Sequence, residues 1–170
     1  MSNRIRRNDL AGEHKYGDAG QIVIAFIFAL TWIFDTLEFK YTTFLNQVVS
    51  NDIRLPLGIL CLLISAFLAI KGLSIVFGEK RANPTVIRKS IFGVIRHPIY
   101  LSEIILYLGL LMISLSLAAV LVCIIAILFL HYIAKVEEKL CLERYGEEYS
   151  QYMQDVPMWI PRIWRIERLK

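Results

Sequence analysis

Long apolar blocks alternate with short charged stretches along this chain. The first block runs from about Gln21 to Phe39, and the second from about Leu55 to Phe77. Each approaches the ~20 residues that a helix needs to cross a hydrocarbon core ~30 Å thick. The third block, from about Pro98 to Tyr132, is 35 residues long. As one helix it would measure about 52 Å at ~1.5 Å per residue, too long for a single crossing. Away from its two ends, its polar interruption is Ser114-Leu115-Ser116. The pattern therefore predicts a tight helical hairpin, with a third span ending at Ile113 and a fourth starting at Leu117. Both arms are slightly short, which places the tip within the far headgroup layer. From Ala134 to about Met153 the chain is charged with a helical pattern, until Pro157 and Pro161 break it. Trp159, Ile160, Ile163, Trp164 and Leu169, interleaved with Arg162, Arg165 and Arg168, predict an amphipathic end lying at the interface.

The block edges carry further signals. Asp35 and Glu38 mark the outer end of the first span, where Trp32, Phe34 and Tyr41 predict an interfacial belt. Pro56 suits the first turn of the second span. Lys71 lies about two turns from that span's end, where it either snorkels to the surface or serves a site. Residues 1–20 hold Arg4, Arg6, Arg7 and Lys15, like the start of a signal peptide, but no small-residue cleavage site follows. The first span is accordingly read as a retained anchor.

Composition sharpens the class. A content of 56% hydrophobic residues and a mean hydropathy of +0.54 exclude an ordinary soluble domain. The net charge of +4 comes from cations flanking the apolar blocks and is no nucleic-acid footprint. Segment 1–20 carries four Lys and Arg, 79–97 carries five and 135–170 carries seven, whereas the loop after the first span has Lys40 and, at its edge, Arg54. An even number of spans with this asymmetry puts both termini in the cytoplasm. Cys61, Cys123 and Cys141 have neither metal-site nor disulfide spacing and read as packing residues. The expectation is one all-α integral membrane domain with about four transmembrane helices: a cytosolic N-terminus to residue 20, two accessory spans over 21–77 and a functional core over 78–170.

Candidate chemistry gathers in two clusters that this topology places on the cytosolic side. One is Arg96-His97-Pro98-Ile99-Tyr100, where a basic loop turns into the third apolar block; Glu103 follows on the same helix side as Tyr100. Pro98 fits the first turn of a helix, where a missing N–H costs nothing. The other cluster holds Lys135, Glu137 and Glu138, then Tyr145-Gly146-Glu147-Glu148-Tyr149.

Ile95 to Tyr100, the hairpin, Glu137-Glu138 and the run from Tyr145 through Tyr152 to Val156-Pro157 occur in one order. Together, over roughly residues 77–161, they resemble the isoprenylcysteine carboxyl methyltransferase family. That family sits within a wider group of small integral membrane methyltransferases that includes phospholipid N-methyltransferases. The resemblance implies S-adenosyl-L-methionine as cofactor, in a pocket at the cytosolic face. It carries the cofactor contacts onto Thr85, Val86, Ile87, Phe92, His97, Pro98, Tyr100 and Glu137. No GxGxxG motif is present, and the family needs none. The residue types suit the task. Aromatic rings such as Phe92 and Tyr100 can stack on adenine or face a sulfonium, and a carboxylate such as Glu137 suits an ammonium or ribose hydroxyls.

Two positions depart from the family pattern. Ile133 stands where the family usually has an Arg thought to engage the substrate carboxylate, and Met158 where an Arg often follows Val-Pro. Lys135 and Lys71 are the cations left as candidates for substrate binding, without the bidentate fork of Arg. A carboxylate acceptor would need no base. An amine would, and Glu138, His131 and Glu103 are candidates for taking its proton. The partners expected are the bilayer and a lipophilic or lipidated acceptor entering sideways from it. The alternatives are an NADPH-dependent membrane reductase of the sterol-reductase kind, with Lys80, Arg81, Arg88 and Lys89 holding the 2′-phosphate, and a non-catalytic membrane scaffold.

Overall fold

A computed structural model describes residues 17–78 and 85–161. The expectations for the N-terminal cations, for Lys80, Arg81 and Asn83-Pro84, and for Arg162 to Leu169 lie outside these residues. Every regular element among the described residues is helical. Helix α1 spans Gly17–Ile33 and runs on as a π-helical turn over Phe34–Phe39. Helices α2 (Asn51–Gly78), α3 (Pro98–Ile113), α4 (Leu117–Tyr145) and α5 (Glu147–Asp155) follow, with short 3₁₀ turns at Phe44–Gln47 and Ser90–Gly93. Gly17–Phe39, Asn51–Gly78 and Leu117–Tyr145 are each long and apolar enough to cross a membrane, and Pro98–Ile113 is a shorter apolar helix. Phe26, Leu63, Phe67, Ile70, Leu121 and Leu128 stand exposed on the outer faces, as an acyl-chain solvent permits and water does not. The protein is thus an all-helical integral membrane protein, and the predicted hairpin closes at Ser114-Leu115-Ser116 between α3 and α4.

Helices α2 and α3 pack antiparallel at close range because small residues line the seam. Gly58, Ser65 and Gly72 recur at seven-residue spacing and are all buried. A Cβ on Gly58 would lie 2.9 Å from the Gly109 carbonyl oxygen. Ser65 Oγ donates to the Ser102 carbonyl at 2.7 Å, and Gly72 accommodates Ile99. Helix α1 leans on α3 and α4. Phe28 stacks on Tyr107 at 4.2 Å between ring centroids, and Gly20 leaves room for the Phe129 ring.

A polar knot closes the bundle at the hairpin tip. Asp35 is buried and accepts from Thr42 N–H at 3.1 Å, from Thr42 Oγ1 and from Ser116 Oγ at 2.5 Å. Arg54 is buried too. It donates to Val49 O at 2.9 Å and to Asn46 Oδ1 and Ile113 O at 2.7 Å each, as well as to Asn51 Oδ1. These partners answer the buried charges, as burial in apolar surroundings requires. The sequence placed Arg54 only at the edge of a loop and Trp32 in an interfacial belt; the Trp32 indole instead donates to Leu110 O at 2.9 Å inside the bundle.

One boundary differs from expectation. A single charged helix to about Met153 is replaced by α4 and α5, which meet at Gly146 with φ of 55° and ψ of −126°. That backbone region favours glycine, and it turns the chain before any proline is reached.

The α2–α3 seam gives a direct test. Gly58→Val should destabilise the protein in detergent by about 1–3 kcal/mol through overpacking. Gly78→Ala, where a Cβ meets nothing within 4 Å, should leave the melting temperature unchanged.

Candidate functional site

The site is built where α3 begins. Pro98 is buried at the first helical position and His97 stands before it. Arg96 ties this start to the rest of the fold. Its Nε donates to Glu138 Oε1 on α4 at 2.7 Å. Its Nη1 donates to the Met153 and Val156 carbonyls at 2.8 and 2.5 Å, and its backbone N–H to Pro157 O at 3.0 Å. One side chain thus joins the start of α3, the C-terminal third of α4 and the end of α5.

His97 lies between two carboxylates. Its Nε2 is 3.2 Å from Glu138 Oε1, and its Nδ1 is 4.0 Å from Glu137 Oε2. Tyr100 donates its hydroxyl to Glu137 Oε1 at 2.6 Å and stacks on the His97 ring at 5.7 Å. Glu138 is 2% exposed, and its Oε2 has no hydrogen-bond partner among the described residues. A buried carboxylate oxygen left bare is costly and marks where an outside donor fits.

The loop before Arg96 lies on a shelf made by α5. Val86 packs against Tyr149, Tyr152 and Val156. Tyr152 donates its hydroxyl to Phe92 O at 2.7 Å. Burial pushes the Tyr149 and Tyr152 hydroxyls well above the ordinary phenol range, so both stay protonated and the Tyr152 bond persists at any physiological pH. The Arg88 guanidinium lies 5.5 Å over the Tyr152 ring and donates to Glu148 O, with Asp155 at 3.7 Å. Arg88 is therefore engaged on α5, which weakens its place in a phosphate-holding cluster. Thr85 is exposed, and Ile87 and Phe92 are half-buried on this loop.

The expected residues separate into groups. The structure brings His97, Pro98, Tyr100, Glu137 and Glu138 together, and sets the loop from Thr85 to Phe92 on the neighbouring shelf. Glu103 is buried elsewhere: it accepts from Gln21 Nε2 on α1 at 2.5 Å and from the Tyr107 hydroxyl. Lys71 is exposed on α2, beside Gly72 and so at the level of Ile99. Lys135 and His131 are exposed on α4. Ile133 is 4% exposed and packs with Tyr100, Leu130 and Ala134. Sequence reasoning missed Trp159, whose indole donates to His131 Nδ1 at 3.1 Å and whose ring lies 5.8 Å from His97. It also left Arg96 without a role. The signal for Arg96 was available, since an arginine at the start of an apolar helix needs an acid to pair with; nothing local pointed Trp159 back across the bundle.

The sequence pattern of the phospholipid methyltransferase family matches residues 53–148, which include α2 from its third residue, α3, α4 and the start of α5. No curated protein and no solved structure matches the chain.

The ion pair is open to a double-mutant cycle. Arg96→Met strands the buried Glu138 charge and should cost about 3–5 kcal/mol in thermal or denaturant unfolding in detergent. Pairing it with Glu138→Met should recover part of that loss; a double variant as unstable as the two single losses added would show that the residues do not act together.

Proposed function

This chain belongs to the phospholipid methyltransferase family, and on that premise we propose that it transfers a methyl group from S-adenosyl-L-methionine to a lipidic amine at the cytosolic face of the membrane. The observation that carries the reading is the cluster of His97, Tyr100, Glu137 and Glu138 with its bare Oε2, formed where the matched helices α3 and α4 meet.

The residues present fit the cofactor. Glu137 suits its ammonium or ribose hydroxyls, and Tyr100 and Phe92 suit its adenine or sulfonium. The loop of Thr85, Val86 and Ile87 offers backbone groups to the base edge. The bound cofactor supplies a methyl on a sulfonium, already activated for in-line attack. The protein's share is to align the nucleophile and exclude water. Tyr100, Leu130 and Ile133 wall the cluster with apolar surface.

The surroundings favour an amine over a carboxylate. Ile133 gives no guanidinium at the position where the isoprenylcysteine carboxyl methyltransferases that this chain resembles usually pair one with a carboxylate. Instead Glu137 and Glu138 line the cluster, on either side of His97. An amine must lose a proton to attack; Glu138, through Oε2, is the carboxylate best placed to receive it. Lys71 sits on the outer face of α2 and reads as a headgroup contact.

Calorimetric titration of S-adenosylhomocysteine into detergent-purified protein tests this. Binding in the micromolar range is expected, weakened about tenfold or more (about 1.4 kcal/mol) by Glu137→Ala. NADPH should not bind. Methyl transfer from labelled S-adenosylmethionine should reach amine lipids in nanodiscs and spare lipids without an amine. NADPH binding without S-adenosylhomocysteine binding would sink the reading.

A further inference from the structure

We infer that Trp159 holds His131 as a neutral imidazole with its proton on Nε2, and that this N–H binds an anionic oxygen of the acceptor, the phosphodiester of a phospholipid headgroup. The inference rests on the methyl-transfer reading and deepens it by assigning the seat of the acceptor's phosphate.

The first step is hydrogen-bond logic. An indole N–H only donates. Trp159 Nε1 points at His131 Nδ1 at 3.1 Å, so Nδ1 must accept. In a neutral imidazole one nitrogen accepts and the other carries the hydrogen, which leaves Nε2–H. A protonated ring would set two N–H groups against each other. The lone pair that a general base needs is the one Trp159 occupies. While that bond stands, His131 is a donor, and the proton of the attacking amine goes elsewhere.

The second step is position. His131 is exposed on α4, one turn beyond Ile127. Val120, Ile124, Ile127 and His131 follow one another at spacings of four, three and four, along one helical stripe. The first three line an apolar furrow of about 260 Å³ between α3 and α4, with Leu108, Leu111 and Met112 opposite. An apolar cavity of ~150 Å³ already admits benzene. An acyl chain of the acceptor laid in this furrow brings its headgroup to His131. Lys135, also exposed, is the next residue along the stripe. An imidazole N–H and an ammonium one turn apart make a charge-assisted pair for a phosphate oxygen. The Trp159 ring then bridges this seat to His97, at 6.1 Å from His131 and 5.8 Å from His97, so phosphate and amine fall on either side of it. Trp159 is a positioning residue in this scheme, and His131 a binding one.

The test has two arms. Nitrogen NMR of histidine-labelled protein in phospholipid-free maltoside micelles, near neutral pH, should show His131 as the Nε2–H tautomer. Trp159→Phe should give a mixture of tautomers. Dihexanoyl-phosphatidylethanolamine should shift the His131 Nε2 resonance, whereas a diacylglycerol should not. This arm needs no turnover, so it decides the inference even if methyl transfer itself is never detected. In the kinetic arm His131→Gln keeps an N–H donor near the Nε2 position but cannot act as a base. It should hold the KM for the lipid within about threefold, while His131→Leu raises it about tenfold or more with kcat and S-adenosylhomocysteine affinity unchanged. An Nδ1–H tautomer, no response to the phospholipid, or a loss of kcat in His131→Gln as deep as in His131→Leu would each overturn the inference.

Discussion

Arg96 faces a constraint that the remainder of the site inherits: a guanidinium at the mouth of an apolar bundle must be answered by acceptors from the protein itself. Glu138 supplies the charge, and the carbonyls of Met153 and Val156 supply the remaining acceptors. Satisfying one cation thereby fixes three segments that are far apart in sequence. The start of α3 cannot drift from α4 without stranding two charges, and α5 cannot lift away without baring a donor. Everything with chemical potential hangs on that junction. His97 sits between the carboxylates because Arg96 holds one of them. Trp159 reaches His131 because Pro157, two residues earlier, is tied to the Arg96 amide. The loop from Thr85 to Phe92 has a shelf because α5 is held in place.

The two ends of the bundle use the same physics for different purposes. At the hairpin tip, Asp35 and Arg54 are saturated by hydroxyls, amides and carbonyls, and every interaction there is closed. At the α3 start one atom, Glu138 Oε2, is left open among the described residues. A fully satisfied polar cluster rigidifies; one that lacks a single donor is ready to take it from a ligand. Between the ends, the glycine and serine seam of α2 and α3 brings backbones close and leaves little room for relative sliding.

Much of the architecture was legible because a bilayer imposes coarse rules. Block lengths located the helices, and the 35-residue block with one polar break could only be a hairpin. Pro98 marked the start of α3 within a residue. The motif grouped His97, Tyr100, Glu137 and Glu138, which do meet in space. What the sequence hid was the pairing of polar residues across long separations. Asp35 with Ser116, Gln21 with Glu103 and Trp159 with His131 are each contacts between distant segments, and hydropathy averages such residues away. The turn at Gly146 was hidden differently. Its flanks are all helix formers, so propensity ran through it, and only the left-handed backbone of one glycine ends α4 there.

The shortest helix has a consequence for the membrane around it. Helix α3 has 16 residues, about 24 Å at ~1.5 Å per residue, against a hydrocarbon core of ~30 Å. A turn at that depth would ordinarily bare its amides to lipid. Here Asn46 accepts from Leu115 N–H, while Thr42 accepts from Leu117 N–H and Ala118 N–H. With its backbone answered from within, the tip needs no water and can rest below the headgroups. The surrounding lipid then adapts to the hairpin rather than to the 28 and 29 residues of α2 and α4. A hydrocarbon core matched to α3 would be thinnest beside the hairpin, and its acyl chains would meet the α3–α4 furrow there.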